Sequence, residues 1–437
     1  MPKVMTVVTG AWRDANRILQ GNIRILTLTA VLGMFGRAMA FPYVSLFILA
    51  LGGQPEEIGI VASLAPLLGL IAFPLGGYLA DHMDRAKLVG WTMIVSALVE
   101  AIYVVAPSWE WLALGSLLMG FVVLQFPAYS SLMADSMQPQ DRSRGTALMN
   151  TLSSAPAMLA PWFAGLLLDR VGVGVGVRYL YAFLALGNAI SGVAVLKFLR
   201  EPSPRAPNGL RLRAVPRLLW DTYGGAGTLL RRLSTTIRVQ AVVIILGFII
   251  NAIAGPFWVV YAVDRLGLTN TEWGAILLIE SIVRIVATVP AGMLGDHWGR
   301  TRCINTSIGL ALGGLLLWVF VTGYWGTLAV RLLLALSQAL FVPASIALLA
   351  DSVPREIRGR AMAALGGGGV MIGASGGGTG GPGLGYLATP IVMVSSLVAG
   401  FVYSAGPRLP WYVASVCAVV ALVLAIGWMR DPHQAEV

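Results

Sequence analysis

The sequence predicts an all-α membrane protein, with twelve transmembrane helices arranged as two pseudo-symmetric six-helix bundles. Three observations predict it. The 437 residues are 57% apolar and only 11% charged, with a mean hydropathy of +0.79, where a soluble domain carries about 25% charged residues. Twelve apolar runs long enough to cross a bilayer follow one another along the chain. Segments of the first half return in the second at an offset of 215 or 216 residues.

Residues 1–24 carry Lys3, Arg13, Arg17 and Arg24 without an apolar core among them. They read as a cytosolic amphipathic lead-in and not as a cleavable signal. Apolar runs then fall near 25–50, 57–80, 88–106, 111–134, 146–168 and 179–199, completing a first bundle over 1–199. Backbone groups in lipid must be satisfied within their own segment, so runs of this length are expected to be helices. A polar stretch, 200–237, joins the halves. Its "RLRAVPRLLWDTYGG" is either a basic amphipathic helix on an anionic membrane surface or a solvated linker. The second bundle, 238–437, has runs near 239–263, 273–295, 303–322, 326–350, 361–404 and 411–429.

With the N-terminus inside, the inner segments hold 23 Lys and Arg, the external loops four (Arg170, Arg178, Arg265 and Arg408), and the spans three. From that asymmetry both termini are expected in the cytoplasm, and the chain is expected to be a multi-pass protein of the cell membrane. The asymmetry also accounts for the net charge of +10 without nucleic acid. Cys303 and Cys417 stand alone in separate segments, so neither a disulfide nor a metal site is expected. No cofactor is implied, and a monomer is expected.

The repeat is detailed. "LGGQPEEIG" at 51–59 matches "LGLTNTEWG" at 266–274, each opening a helix with an acid, Glu57 or Glu272, near its positive end. "SLMADSMQPQDRSRGTA" at 131–147 matches "ALLADSVPREIRGRAMA" at 347–363. "GGYLADHMDRAK" at 76–87 matches "AGMLGDHWGRTR" at 291–302. Pro127 and Pro343 correspond and are expected to bend spans 4 and 10.

These residues resemble the major facilitator superfamily, whose inner-loop pattern Gly-x-Leu-x-Asp-x-x-Gly-Arg-x-Arg/Lys stands here twice. The first copy is Gly77, Leu79, Asp81, Arg85 and Lys87, with Asp84 in place of the second glycine; the second is Gly292, Leu294, Asp296, Gly299, Arg300 and Arg302. The resemblance covers essentially the whole chain. It implies an inner latch: Gly77 and Gly292 where helices approach, Asp81 at the start of a helix of the other half near Arg360, with Asp296 its counterpart, and the pairs Arg85–Asp135 and Arg300–Asp351. The alternative is that these charges only set topology.

Ionisable residues inside spans are the strongest functional pointers. Arg37 lies in span 1, Glu100 in span 3, Glu280 and Arg284 in span 8, and Arg331 in span 10. The spacing of four puts Glu280 and Arg284 on one helical face, as a proton-coupling pair or as a static ion pair. In the superfamily, spans 1, 4, 7 and 10 line the cavity, which puts Arg37 on the solute path, there to bind an anionic group or to meet Glu280 or Glu100. Glu100, on a peripheral helix, either takes part in coupling or rests against a neighbour. Arg331 resembles the superfamily's fourth-span arginine but stands in the second half, where Gly115 is the matching residue in the first; it serves proton coupling or snorkels outward. Tyr43, Gln125, Asn251, Trp258, Tyr261 and Gln338 complete the candidate solute-contacting set, although aromatics in spans are commonly packing or interface residues.

The stretch Gly366–Pro390 breaks the symmetry, because its region is over 40 residues long where span 5 needs about 20 before its outer loop. It is a broken helix, a re-entrant piece or an external excursion, acting as a gate or as a close-packing surface. No nucleotide-binding motif is present. The expected function is therefore secondary active transport of a small-molecule substrate by alternating access, as proton-coupled efflux of amphiphilic or drug-like compounds. Uptake or exchange of a small organic anion or sugar is the alternative; a lipid flippase or a non-transporting sensor is a lesser one.

Overall fold

The computed structural model describes residues 17–202, 215–366, 369–374 and 385–431. Residues 1–16 of the lead-in, residues 203–214 of the linker, and residues 367–368 and 375–384 of the Gly-rich stretch lie outside them. Spans 1 to 6 are Asn22–Ala50, Pro55–His82, Arg85–Val105, Trp109–Asp135, Arg142–Val171 and Val173–Phe198. Spans 7, 8, 10 and 12 are Thr235–Asp264, Asn270–Trp298, Gly323–Ser352 and Leu409–Trp428. These ten are long and apolar enough to cross a bilayer. Arg300–Trp318 is span 9, and Arg355–Leu365 with Thr389–Ala405 makes span 11. The chain is a multi-pass integral membrane protein with twelve spans.

The repeat is visible in how helices begin. Gln54 and Glu57 form a reciprocal capping box at span 2, and Thr269 and Glu272 form its counterpart at span 8. Spans 1 and 7 are interrupted at corresponding places, by a 3-10 turn at Phe41–Tyr43 and by a break between Ala254 and Phe257. Each interruption contains a proline, Pro42 or Pro256, which lacks the amide a continuous helix would use. Span 4 tightens to a 3-10 segment, Gly120–Leu124, just before Pro127. Span 10 stays helical through Pro343, so the expected matching bends are not symmetrical.

We term the end of the bundle that carries the linker and the starts of spans 3 and 9 the basic side. There the linker folds into two helices, Val215–Gly224 and Ala226–Arg232. The first leaves Trp220 77% exposed and turns Tyr223 inward. The Tyr223 hydroxyl donates to the Leu70 carbonyl of span 2 at 2.7 Å. Leu70 lies four residues before Pro74, so its carbonyl has no helical amide to accept from. The linker supplies the missing donor, and burial pushes the Tyr223 phenol up to about 12, which keeps it protonated. The same ring packs edge-on to Tyr386 of the span 11 region, 5.7 Å away. The linker thus bridges the two halves. Tyr223→Phe is expected to orphan the Leu70 carbonyl and cost about 1 kcal/mol, read as a lower apparent Tm in detergent; an unchanged Tm would remove the linker from the structural account.

Span 11 resolves the surplus length. Its helix stops at Leu365 on Gly366, which has φ 73°. The amides of Tyr386 and Leu387 then donate to the carbonyls of Ala363 and Ala364, both at 3.3 Å. The helix resumes beside the turn where it stopped, so the extra residues are an insertion into the middle of one crossing.

Candidate functional site

A buried ion pair lies inside the second half. Glu280 is 4% exposed and Arg331 is fully buried. Arg331 Nε and Nη2 donate to Glu280 Oε2 at 2.9 and 2.6 Å. The guanidinium carbon sits 4.9 Å from the Trp258 ring centre and 5.7 Å from that of Trp273, close enough for cation–π attraction. This corrects two expectations. Glu280 does not pair with Arg284 one turn away, and Arg331 does not snorkel outward. A surface pair at that spacing is worth only about 0.2–0.5 kcal/mol, whereas a buried carboxylate needs a partner that is itself desolvated and well aligned. Arg284 instead donates to Gln338 Oε1 at 3.1 Å and lies 3.3 Å from the Met371 sulfur.

Residues 369–374 of the insertion enter the same core. Asn251 Nδ2 donates to the Met371 carbonyl and the Gly373 amide donates to Asn251 Oδ1, each at 2.8 Å. Gln338 Nε2 donates to the Ile372 carbonyl at 3.2 Å, and Arg331 Nη1 to the Gly373 carbonyl at 2.8 Å. Irregular backbone at this depth persists because side chains of spans 7 and 10 satisfy it. Asn251 and Gln338, expected on the solute path, are therefore engaged in holding that segment. Trp258 and Tyr261 are buried in a cluster with Trp318 and Trp411, with Trp258–Trp318 ring centres 4.5 Å apart and Tyr261–Trp411 4.8 Å apart. In this conformation both are packing residues.

In the first half, Glu100 is 2% exposed. Asn188 Nδ2 of span 6 donates to both its carboxylate oxygens, at 2.7 and 2.8 Å. Arg37 is half-buried, and Glu100 attracts it electrostatically without a direct hydrogen bond. Gln125 is 8% exposed, and its carbonyl oxygen has no hydrogen-bond partner among the described residues.

On the basic side the two motif copies build matching clusters. Arg85 Nη1 donates to Asp135 Oδ2 at 2.8 Å, and its Nε and backbone amide donate to Glu201 at 3.1 and 3.0 Å. Arg300 pairs with Asp351 and donates to the Ala347 carbonyl at 3.1 Å. Asp431 accepts from the Thr301 amide and hydroxyl, both at 2.9 Å. Glu201 and Asp431 thus cap spans 3 and 9 from just beyond spans 6 and 12. The replacement of glycine by Asp84 is also explained. Gly299 starts span 9 at φ 101°, a conformation that favours glycine. Asp84 starts span 3 at φ −64° and accepts from the Lys87 amide, an N-cap worth about 1 kcal/mol.

Asp81, Asp296 and Arg360 are exposed, and a Cβ at Gly77 or Gly292 would meet nothing within 4 Å. Those glycines are not close-approach points here. Gly76 is one, since a Cβ there would lie 2.8 Å from the Leu124 carbonyl oxygen. Toward the basic side, span 8 is exposed over most of its circumference, at Ile285, Val286, Thr288, Val289 and Met293 among others.

The opposite side is closed. A Cβ at Gly59 would lie 2.7 Å from the Ser396 carbonyl oxygen, and one at Gly165 would overlap the Asn270 carbonyl, so spans 2 and 11, and 5 and 8, meet through their backbones. The Tyr43 hydroxyl is shared between the carbonyls of Pro161 and Asn270, at 2.7 and 3.2 Å. Tyr43 is fully buried, so here it ties the halves together and does not face open space. Asp169 of span 5 crosses the seam. Its Oδ1 accepts from the Asn270 amide and side chain at 3.0 and 2.8 Å, and its Oδ2 from the Thr271 amide at 2.8 Å and the Thr271 hydroxyl. It caps the start of span 8 from the other half.

The sequence model of the Major Facilitator Superfamily matches residues 26–254 and 240–437, which is each half in turn. The chain belongs to the Major Facilitator Superfamily. It is 28% identical over 348 residues to a multidrug resistance protein MdtG of Dickeya zeae, covering 76% of this chain and 81% of that protein. It is 22% identical to the class H tetracycline resistance protein of Pasteurella multocida, covering 79% and 84%. A bacterial homologue of the human lysosomal transporter Spinster, in an inward-facing and unoccupied conformation, superposes with a TM-score of 0.68 at 13% identity, covering 94% of this chain and 96% of that one.

Within this superfamily fold, the residues that the sequence reading missed are Glu201, Asp431 and Asp169. Glu201 and Asp431 stand 230 positions apart, outside the 215-residue register, because the insertion lengthens the second half. The available signal was an acid directly after the last span of each half. Asp169 had only its place at a span end to mark it.

Proposed function

We propose that this chain is a proton-coupled efflux transporter of amphiphilic or drug-like compounds, working by alternating access, with the basic side in the cytoplasm. The observation that carries it is the Glu280–Arg331 ion pair, buried within spans 8 and 10 of one half and bonded to residue 373 of the insertion. A carboxyl in such a place holds its charge only while its partner stays, so moving Arg331 lets Glu280 take a proton. The multidrug and tetracycline resistance relatives support the solute class. The closed opposite side and the exposed span 8 support an inward-facing state, in which the Arg85–Asp135 and Arg300–Asp351 pairs stay within their halves. Breaking the Asp169 and Tyr43 contacts would turn the site outward.

Purified protein in liposomes with an imposed pH gradient tests this. Uphill movement of a fluorescent amphiphile that collapses with a protonophore is expected. Movement indifferent to the gradient would end the proton reading. A second reading, exchange of a small organic anion, is favoured by Arg37 and Arg284, neither of which forms an ion pair among the described residues. It predicts that Arg37→Ala weakens binding of an anionic solute and leaves neutral ones unchanged.

A further inference from the structure

We infer that residues 369–374 form the second half's wall of the solute site, and that Met371 is the side chain on it that decides which solutes are accepted. The inference rests on the efflux reading above.

The two halves differ here in a way the repeat does not anticipate. Span 5 is one unbroken helix, Arg142–Val171, while its counterpart span 11 is opened between Leu365 and Thr389. Residues 369–374 of the insertion are built into the core. Asn251, Gln338 and Arg331, from spans 7 and 10, make four hydrogen bonds of 2.8–3.2 Å to the main chain of 371–373. Val370 and Ile372 are each 1% exposed, and Val370 fills the space above Gly247, where a Cβ would come within 2.9 Å of it. Gly373, at φ 81°, packs against Leu334.

Between these anchors one side chain points the other way. Met371 is 39% exposed and stands beside Arg284, near the middle of span 8. A fixed main chain with one projecting thioether is a specific surface. Sulfur is polarizable, the methionine chain adapts to its partner, and it favours aromatic rings. With the Arg284 guanidinium 3.3 Å from the sulfur, the two recognise a planar aromatic body bearing an oxygen acceptor or a carboxylate. Asn251, Gln338 and Arg331 are then positioning residues for this wall.

The test uses the full chain in nanodiscs, with norfloxacin, an aromatic carboxylate with intrinsic fluorescence, as probe. Met371→Ala is expected to raise its Kd about 2- to 10-fold, the equivalent of one sulfur–aromatic contact, and Met371→Leu to recover only part of that. Binding equal to wild type in Met371→Ala would overturn the inference. Independently, Met371→Cys in a Cys303→Ser, Cys417→Ser background is expected to react with a charged methanethiosulfonate reagent, and norfloxacin to slow that reaction. An unreactive Cys at 371 overturns the wall placement whatever the solute. If wild-type protein moves no amphiphile at all, the efflux reading falls, while reactivity at 371 still decides whether this segment lines the water-filled space.

Discussion

Glu280→Gln is expected to abolish proton-driven accumulation of solute in liposomes, by at least about tenfold, while the protein stays folded. Glutamine is nearly isosteric and its carbonyl oxygen can still accept from Arg331 Nε and Nη2, which now meet Glu280 at 2.9 and 2.6 Å. What it cannot do is gain and lose a proton. Solute-for-solute exchange, which needs no proton, is expected to persist, so the two assays separate coupling from folding. The reverse substitution is less informative. Arg331→Ala leaves a carboxylate buried without its partner, at a cost of about 3–5 kcal/mol, and also frees the Gly373 carbonyl of the insertion. It is expected to lower the apparent Tm sharply and to lose transport for that reason alone. Wild-type pH-driven flux in Glu280→Gln would remove span 8 from the coupling mechanism.

The second large effect is expected at Asp169, which had no place in the sequence-based site. Its carboxylate accepts two backbone amides and two side chains at the start of span 8. This is helix capping supplied from the other half of the molecule, where the partial positive charge of the helix start adds to the attraction. Hydrogen bonds to a charged group are the strong ones, and losing this set costs about 3 kcal/mol. The contact exists only while the side opposite the basic one is closed, so the whole cost falls on that state. Asp169→Ala is expected to shift the equilibrium roughly a hundredfold toward opening there. Spin labels at Val175 and Leu409, both exposed and at that end of spans 6 and 12, report it. A new population at longer separation is the expected result, and a distance distribution identical to that of the unmutated protein would show that the seam is held by the glycine contacts alone.

Much of the fold was legible because it depends on local chemistry. Apolar run length sets the spans, and the acid at the third helical position sets the caps at Glu57 and Glu272. The arginine–aspartate pairs within each half were legible too, since the resemblance of both motif copies to the superfamily pattern implies Arg85 with Asp135 and Arg300 with Asp351. Partners that meet across helices were not. Periodicity says that Glu280 and Arg284 share a face, but not that Arg331 of another span can reach that face more closely and with less water. Composition marks the glycine stretch as irregular, but not that its backbone would find donors on spans 7 and 10.

The amino-acid sequence by itself determined that this chain crosses a membrane twelve times in two related halves, because hydrophobic length and a 215-residue repeat are written along one dimension. Only the tertiary structure decided which charges pair, where span 11 is opened, and which end of the molecule is shut. The physical reason is that a desolvated charge or a freed carbonyl takes whichever partner packing brings within about 3 Å, and packing is a property of helices lying beside one another, not of residues following one another.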